Sequence, residues 1–179
     1  MKISRLTYAT KVGHFIMNEK PHVKTNLTFI KDPNLSREDY KKNHARVYFI
    51  TLDGEIVKIG GSNAKGGICG TITPYCSGNG GRPSDRTFGV NYLIHEHLST
   101  GATVEFYAQW ASSAKVIIQA LTAQKRMEVE ISYKALEEAC VKEYLKLNNG
   151  EFPRWNYQEA HLPWPNHIRE ARYQLLEGK

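Results

Sequence analysis

The chain has 179 residues, of which 41% are hydrophobic, and carries a net charge of +6. That is enough for one domain with a proper core, and no apolar run is long enough to cross a membrane. Residues 1–46 hold ten Lys and Arg against four Asp and Glu, while the remainder holds fourteen of each, so the whole excess lies at the N-terminus. A basic segment ahead of a neutral body is the asymmetry expected of a protein that tracks a phosphate backbone.

The opening stretch MKISRLTYATKVGHF is too polar for a signal-peptide core, which points to a cytoplasmic protein. Cys69, Cys76 and Cys140 are odd in number and lack CxxC spacing, so reduced thiols fit better than a zinc or disulfide framework. Tyr8, Phe15, Phe29 and Tyr40 lie among the early charges, so residues 1–45 read as a basic arm that packs. Ser36 followed by Glu38 and Asp39 marks a helix start, ending near Asn43.

Residues 46–60 read as a β-hairpin around Asp53-Gly54. A two-residue loop would set Lys58 opposite Phe49 and spoil an apolar face. A three-residue loop with Gly54 in the left-handed region sets Phe49 opposite Val57 and Val47 opposite Ile59, and is preferred. It also sets Tyr48 directly opposite Lys58, where an ammonium would lower the phenol pKa.

Residues 61–89 are rich in glycine and are not expected to form one regular element. A short helix is expected from about Asn91 to Leu98. TVEFYAQW then alternates as a strand with Val104, Phe106, Ala108 and Trp110 on one face. KVIIQAL and MEVEIS form a second hairpin, and Ser132 caps a helix from Tyr133 to about Leu147. A last amphipathic helix lies around His167–Leu176. Residues 46–160 are taken as the core and 161–179 as a helical tail.

On the helix after Ser132, Leu136, Cys140, Glu143, Tyr144 and Leu147 form one stripe. Glu138, Val141 and Leu145 fall on another line, which sets a carboxylate among apolar residues and makes Glu138 a candidate functional acid. Glu137, one step away, is the alternative. The glycines at 78–81 precede no GK[ST], so a nucleotide loop is not indicated, and His95 and His97 point to different sides of a helix. Trp155, Tyr157 and Trp164 are read as packing residues of the tail.

Val47-Tyr48-Phe49, then Lys58-Ile59-Gly60, then a helical glutamate followed by Pro153-Arg154-Trp155-Asn156, together resemble the GIY-YIG nuclease superfamily. KIG in place of the second motif resembles its small type II restriction endonucleases. The resemblance runs from about Val47 to Asn156. It implies an α+β fold, a small antiparallel sheet with flanking helices, here with extra strands and terminal extensions. It implies that Tyr48 activates the attacking water, with Lys58 beside it, and that Glu138 holds Mg2+ or another divalent cation. Asn156 would support the metal side.

This sequence departs from the family in lacking the arginine usually found soon after the second motif. Between Ser62 and Tyr75 the only basic residue is Lys65. Arg82 and Arg86 are therefore the candidate phosphate-steadying residues, and Ser62, Lys65, Tyr75 and Arg82 the candidate nucleic-acid contacts. Some relatives also carry a histidine after KIG, where this chain has Gly61. The implied activity is metal-dependent, site-specific cleavage of double-stranded DNA by a homodimer. The alternatives are a nicking enzyme and a catalytically silent nucleic-acid-binding module of the same fold.

Overall fold

A computed structural model describes residues 1–19, 25–119 and 121–178. Its centre is a five-stranded antiparallel sheet in the order β2-β1-β5-β3-β4, formed by Thr10–Met17, Leu27–Lys31, Arg46–Leu52, Glu55–Ser62 and Val104–Trp110 as β1 to β5. Residues 1–45 are thus not a separate arm: they supply two of the five strands. The aromatic residues noted among their charges explain this, because Phe15 is buried and meets Phe29 and Phe106 edge to face.

The β3–β4 turn has two residues rather than the expected three. Asp53 and Gly54 both adopt positive φ, 49° and 78°, as a type I′ turn requires. Leu52 faces Glu55 and Thr51 faces Ile56, but beyond a bulge at Val57 the register shifts, so that Ile50 faces Lys58 and Tyr48 faces Gly60. The requirement for a coherent apolar face is met by an extra residue in the strand, not by a longer loop. Phe49 therefore pairs with Ile59 instead of Val57.

The two faces of the sheet bury different clusters. Tyr48, Ile50, Phe106 and Ala108 share a core with the helices α2 (Gly67–Cys76) and α3 (Asp85–Ser99). Val47, Phe49 and Ile59 pack with Met1, Ile3 and Leu6 and with α4 (Tyr133–Leu147). Before these, α1 spans Arg37–Lys41, capped by Ser36 as expected. The final helix α5 (Asn166–Glu177) packs on α3, and Trp164 lies against Gly89.

Helix α2 runs against local propensity, with two glycines, Pro74 and two threonines among its ten residues. It persists because Ile68, Thr71, Ile72 and Tyr75, at helical spacing, are all buried. Helix α3 begins six residues before the expected start, where Ser84 accepts from the Thr87 N–H. The second hairpin forms as expected from β6 (Ser113–Gln119) and β7 (Gln124–Glu130), paired only with each other. Among the described residues no helix is long and apolar enough to cross a membrane.

Strand β4 is a sheet edge, and its open backbone groups are met by the segment after α4. Trp155 N donates to Val57 O at 2.8 Å. The Asn156 amide takes both backbone groups of Ile59, accepting at 2.9 Å and donating at 2.8 Å. A side-chain amide thereby serves as the missing neighbouring strand. It fixes the backbone between Lys58 and Gly60.

Candidate active site

Tyr48 and Lys58 lie on the same face of the sheet as diagonal neighbours, not opposite each other. Both are buried, with Lys58 only 1% exposed. The Tyr48 ring covers Gly60, where a β-carbon would overlap the phenol, and stacks on Phe106 with centroids 5.2 Å apart. Its hydroxyl oxygen lies 2.5 Å from that of Tyr75, brought in by α2.

The expected lowering of the Tyr48 pKa is reversed. Burial, then the adjacent Tyr75, push it well above the ordinary phenol value, and Arg86 only partly opposes them. Tyr75 is also raised by burial. At neutral pH both are protonated phenols joined by a hydrogen bond. The amine of Lys58 moves the other way, down to about 8, because burial disfavours its charge more than Glu159 restores it.

Glu138, the expected metal-holding carboxylate, points into solvent. It pairs with Lys142 at 2.6 Å, which lowers its pKa. Glu137 is the residue that faces the cluster. Its carboxylate meets the backbone N–H of Gly61, and burial pushes its pKa up against that bond. It lies close enough to Tyr48, Lys58, Arg86 and Glu159 for their charges to act on one another. Gly61 makes the approach possible, since a β-carbon there would sit 2.5 Å from Glu137 Oε2 and equally close to the Tyr133 ring. Gly61, with no side chain of its own, leaves the Glu137 carboxylate free to approach the backbone of β4.

Arg86, in the first turn of α3, extends toward the compact turn at 157–161. Its Nε donates to Gln158 Oε1 at 2.7 Å and its Nη2 to Glu159 Oε1 at 2.9 Å. The turn is closed by bonds from His161 to Gln158 O and from Leu162 to Tyr157 O, with His161 left-handed at φ 55°. This is the Schellman arrangement. Glu159 Oε2 lies 3.9 Å from Lys58 Nζ and is buried without a hydrogen-bond partner. Glu159, Lys58, Arg86, Tyr48 and Tyr75 therefore gather at the glycine end of β4, with Glu137 near enough for its charge to act on them.

The other candidates lie apart from this centre. Arg82 is exposed on the α2–α3 loop and makes no ion pair among the described residues. Lys65 is exposed in the short loop before α2. Ser62 accepts from Thr71 Oγ1 at 2.9 Å and Ala64 N at 3.2 Å. Beside it the fully buried Arg46 donates to the carbonyls of His44, Ala64 and Gly67 at 2.6, 2.9 and 2.6 Å. Tyr75, named only as a nucleic-acid contact, belongs to the buried pair with Tyr48.

Glu159, Gln158 and the positioning role of Arg46 were not anticipated. For Glu137 a signal was present: it stands three residues before Cys140, four before Val141 and seven before Tyr144, all on the inward face of α4. Glu138 instead stands four before Lys142, the spacing of a solvent-side ion pair.

No protein-family model and no curated protein sequence matches the chain. Among solved structures, it is similar to a mutant of EndoII from bacteriophage T4, with a TM-score of 0.50 and 22% identity over 83% of this chain and 90% of that one. It is also similar to the restriction endonuclease HPY188I in complex with product DNA, with a TM-score of 0.44 and 18% identity over 86% of this chain and 84% of that one. What the first likeness shows is the fold, an α+β architecture that this chain shares with the phage protein EndoII.

Proposed function

We propose that this chain is a metal-dependent endonuclease that hydrolyses phosphodiester bonds of double-stranded DNA. The reading sets it in the GIY-YIG superfamily, and Lys58 in the second motif favours the branch of small type II restriction enzymes. The observation that carries this reading is the convergence of Tyr48, Lys58, Arg86 and Glu137 at Gly60 and Gly61. A phenol, two cations and a carboxylate around one point are what phosphoryl transfer to water requires.

The donor set suits a hard cation. Glu137 offers carboxylate oxygen and carries no salt bridge within 4.0 Å among the described residues. Since these hold no cluster of three or more His, Cys, Asp or Glu fit for a metal, the cation would take its other ligands from water and phosphate oxygens. Glu137 would hold Mg2+, which supplies Lewis-acid stabilisation of the departing oxygen. Arg86 and Lys58 bind the scissile phosphate and balance the charge that builds on it. Tyr48, held by its bond to Tyr75, orients the attacking water through a hydrogen bond, and the proton that the water loses passes to solvent as its oxygen bonds phosphorus and the 3′ oxygen departs. Its raised pKa favours this orienting role over a standing phenolate. Asn156 is a positioning residue, holding Ile59 so that Lys58 and Gly60 stay in place.

Cutting both strands needs two such sites, and a homodimer with a two-fold axis would match a palindromic target in the cytoplasm. The test is incubation of purified protein with supercoiled plasmid and Mg2+, beside Glu137→Gln, Tyr48→Phe and an EDTA control. Linear product from wild type alone supports the reading. Nicked circles alone would favour a single-site enzyme, and salt-sensitive DNA binding without cutting would favour the silent module.

A further inference from the structure

The turn at 157–161 presents an anion to both cations of the site. Arg86 reaches Glu159 Oε1 at 2.9 Å while Lys58 Nζ lies 3.9 Å from Oε2, beyond hydrogen-bond length. Oε2 is buried yet accepts no hydrogen bond. A buried carboxylate oxygen left in this way is poorly satisfied, and a flat carboxylate bridges these two donors badly. A tetrahedral phosphate offers two free oxygens at wider angles.

The turn is ordered independently of Arg86. Asn156 anchors its start to Ile59, and its own backbone bonds close it. Glu159 is thus held in front of the cations by the fold. The charges that would receive DNA are already neutralised within the chain.

We propose that Glu159 occupies the place of the scissile phosphate, so that DNA enters this site by exchanging its phosphate for the Glu159 carboxylate. This rests on the nuclease reading of the site. Gln158 keeps Arg86 oriented during the exchange through its bond to Nε. Glu159 is then a gatekeeper of binding and not a ligand of the metal.

The expected result runs opposite to that of a structural residue. Binding of a mixed-sequence 30-base-pair duplex, labelled with fluorescein, is measured by anisotropy in EDTA over a salt series. Glu159→Gln and Glu159→Ala should each bind about tenfold more tightly than wild type, with a salt slope steeper by about one, because a cation pair is freed for phosphate. Arg86→Ala should weaken binding. If both Glu159 variants bind equally or more weakly than wild type while unfolding at the same temperature, the exchange is overturned and Glu159 merely props Arg86. Unchanged DNA affinity in Arg86→Ala, or no binding by any of the proteins, would instead overturn the nuclease reading and the exchange with it.

Discussion

The hydroxyl oxygens of Tyr48 and Tyr75 lie 2.5 Å apart, in a site where burial raises both phenol pKa values. Strand β3 supplies one ring and α2 the other, so a helix of poor intrinsic propensity is retained where it completes the site. The pair stays protonated at neutral pH, so neither member stands as a phenolate.

Removing the Tyr48 hydroxyl takes away the group proposed to orient the attacking water. Tyr48→Phe should lower plasmid cleavage by about 100-fold, the scale of losing a group that positions a reactant. Tyr75→Phe leaves Tyr48 in place without its partner and should cost about tenfold, the scale of one hydrogen bond. Initial rates of supercoiled plasmid loss measure both. A Tyr48→Phe enzyme cutting at the wild-type rate would remove the phenol from the mechanism.

Glu137 and Glu138 are adjacent on α4 yet face opposite environments. Glu137→Gln should abolish Mg2+-dependent cleavage, while Glu138→Gln should stay within about twofold of wild type, as expected for loss of an exposed ion pair. The comparison is internally controlled, since both changes remove one charge from the same helical turn. The reverse pattern would mean that α4 is rotated by one residue from the structure described.

The elements with strong local signals were legible from the sequence. The Ser132 cap and the 3.6-residue period place α4 at Tyr133–Leu147, and alternation reveals β5. What escaped depended on distant partners. Nothing local signals the bulge at Val57, whose carbonyl is taken by Trp155 almost a hundred residues later. Nor does α2 announce itself, since its helix is maintained by burial and not by propensity. Glu138 shares an apolar line with Val141 and Leu145, but its pair with Lys142 four residues on holds it at the solvent side of α4. Glu159 was invisible because only the closed turn at 157–161 brings it to Lys58.

The amine of Lys58 loses its proton near pH 8 in the folded protein, against 10.5 for the free side chain. If charged Lys58 holds the phosphate, cleavage should fall as pH rises through about 8. Stability should move oppositely. Between about 8 and 10.5 the unfolded chain binds the extra proton, so this group makes the fold more stable as pH rises. Below that window its buried charge costs about 3 kcal/mol, the equivalent of the shift. Lys58→Met should therefore abolish cutting yet raise stability at pH 7, read by urea unfolding. A large destabilisation would show that the amine is needed to hold Glu159.

Arg46 is fully buried, with burial lowering its pKa, and no carboxylate lies within 4.0 Å among the described residues. Its guanidinium ties the start of β3 to the carbonyls that precede α2. Arg46→Leu would strand the carbonyls of Ala64 and Gly67 and should cost about 3 kcal/mol of unfolding free energy. Arg46→Lys should recover only part of this, because an ammonium cannot span the same acceptors. A loss below about 1 kcal/mol in both variants would mean that water replaces the guanidinium at these carbonyls.

Gly61 separates the function of Glu137 from the stability of the fold. Its backbone is extended, so alanine brings no backbone strain there. The new methyl would meet Glu137 Oε2 and the Tyr133 ring at 2.5 Å. The carboxylate is the end of a flexible side chain and yields first, swinging away from the Gly61 N–H and from the cluster. Gly61→Ala should therefore lower cleavage by about 100-fold, a scale reached when a catalytic group is misplaced by an ångström. Its thermal midpoint should fall by only a few degrees, which corresponds to about 1 kcal/mol. Higher Mg2+ should restore part of the activity, because a displaced carboxylate weakens the metal's hold before it removes it. If activity survives while stability collapses, the Tyr133 ring has given way in place of Glu137, and the glycine serves packing alone.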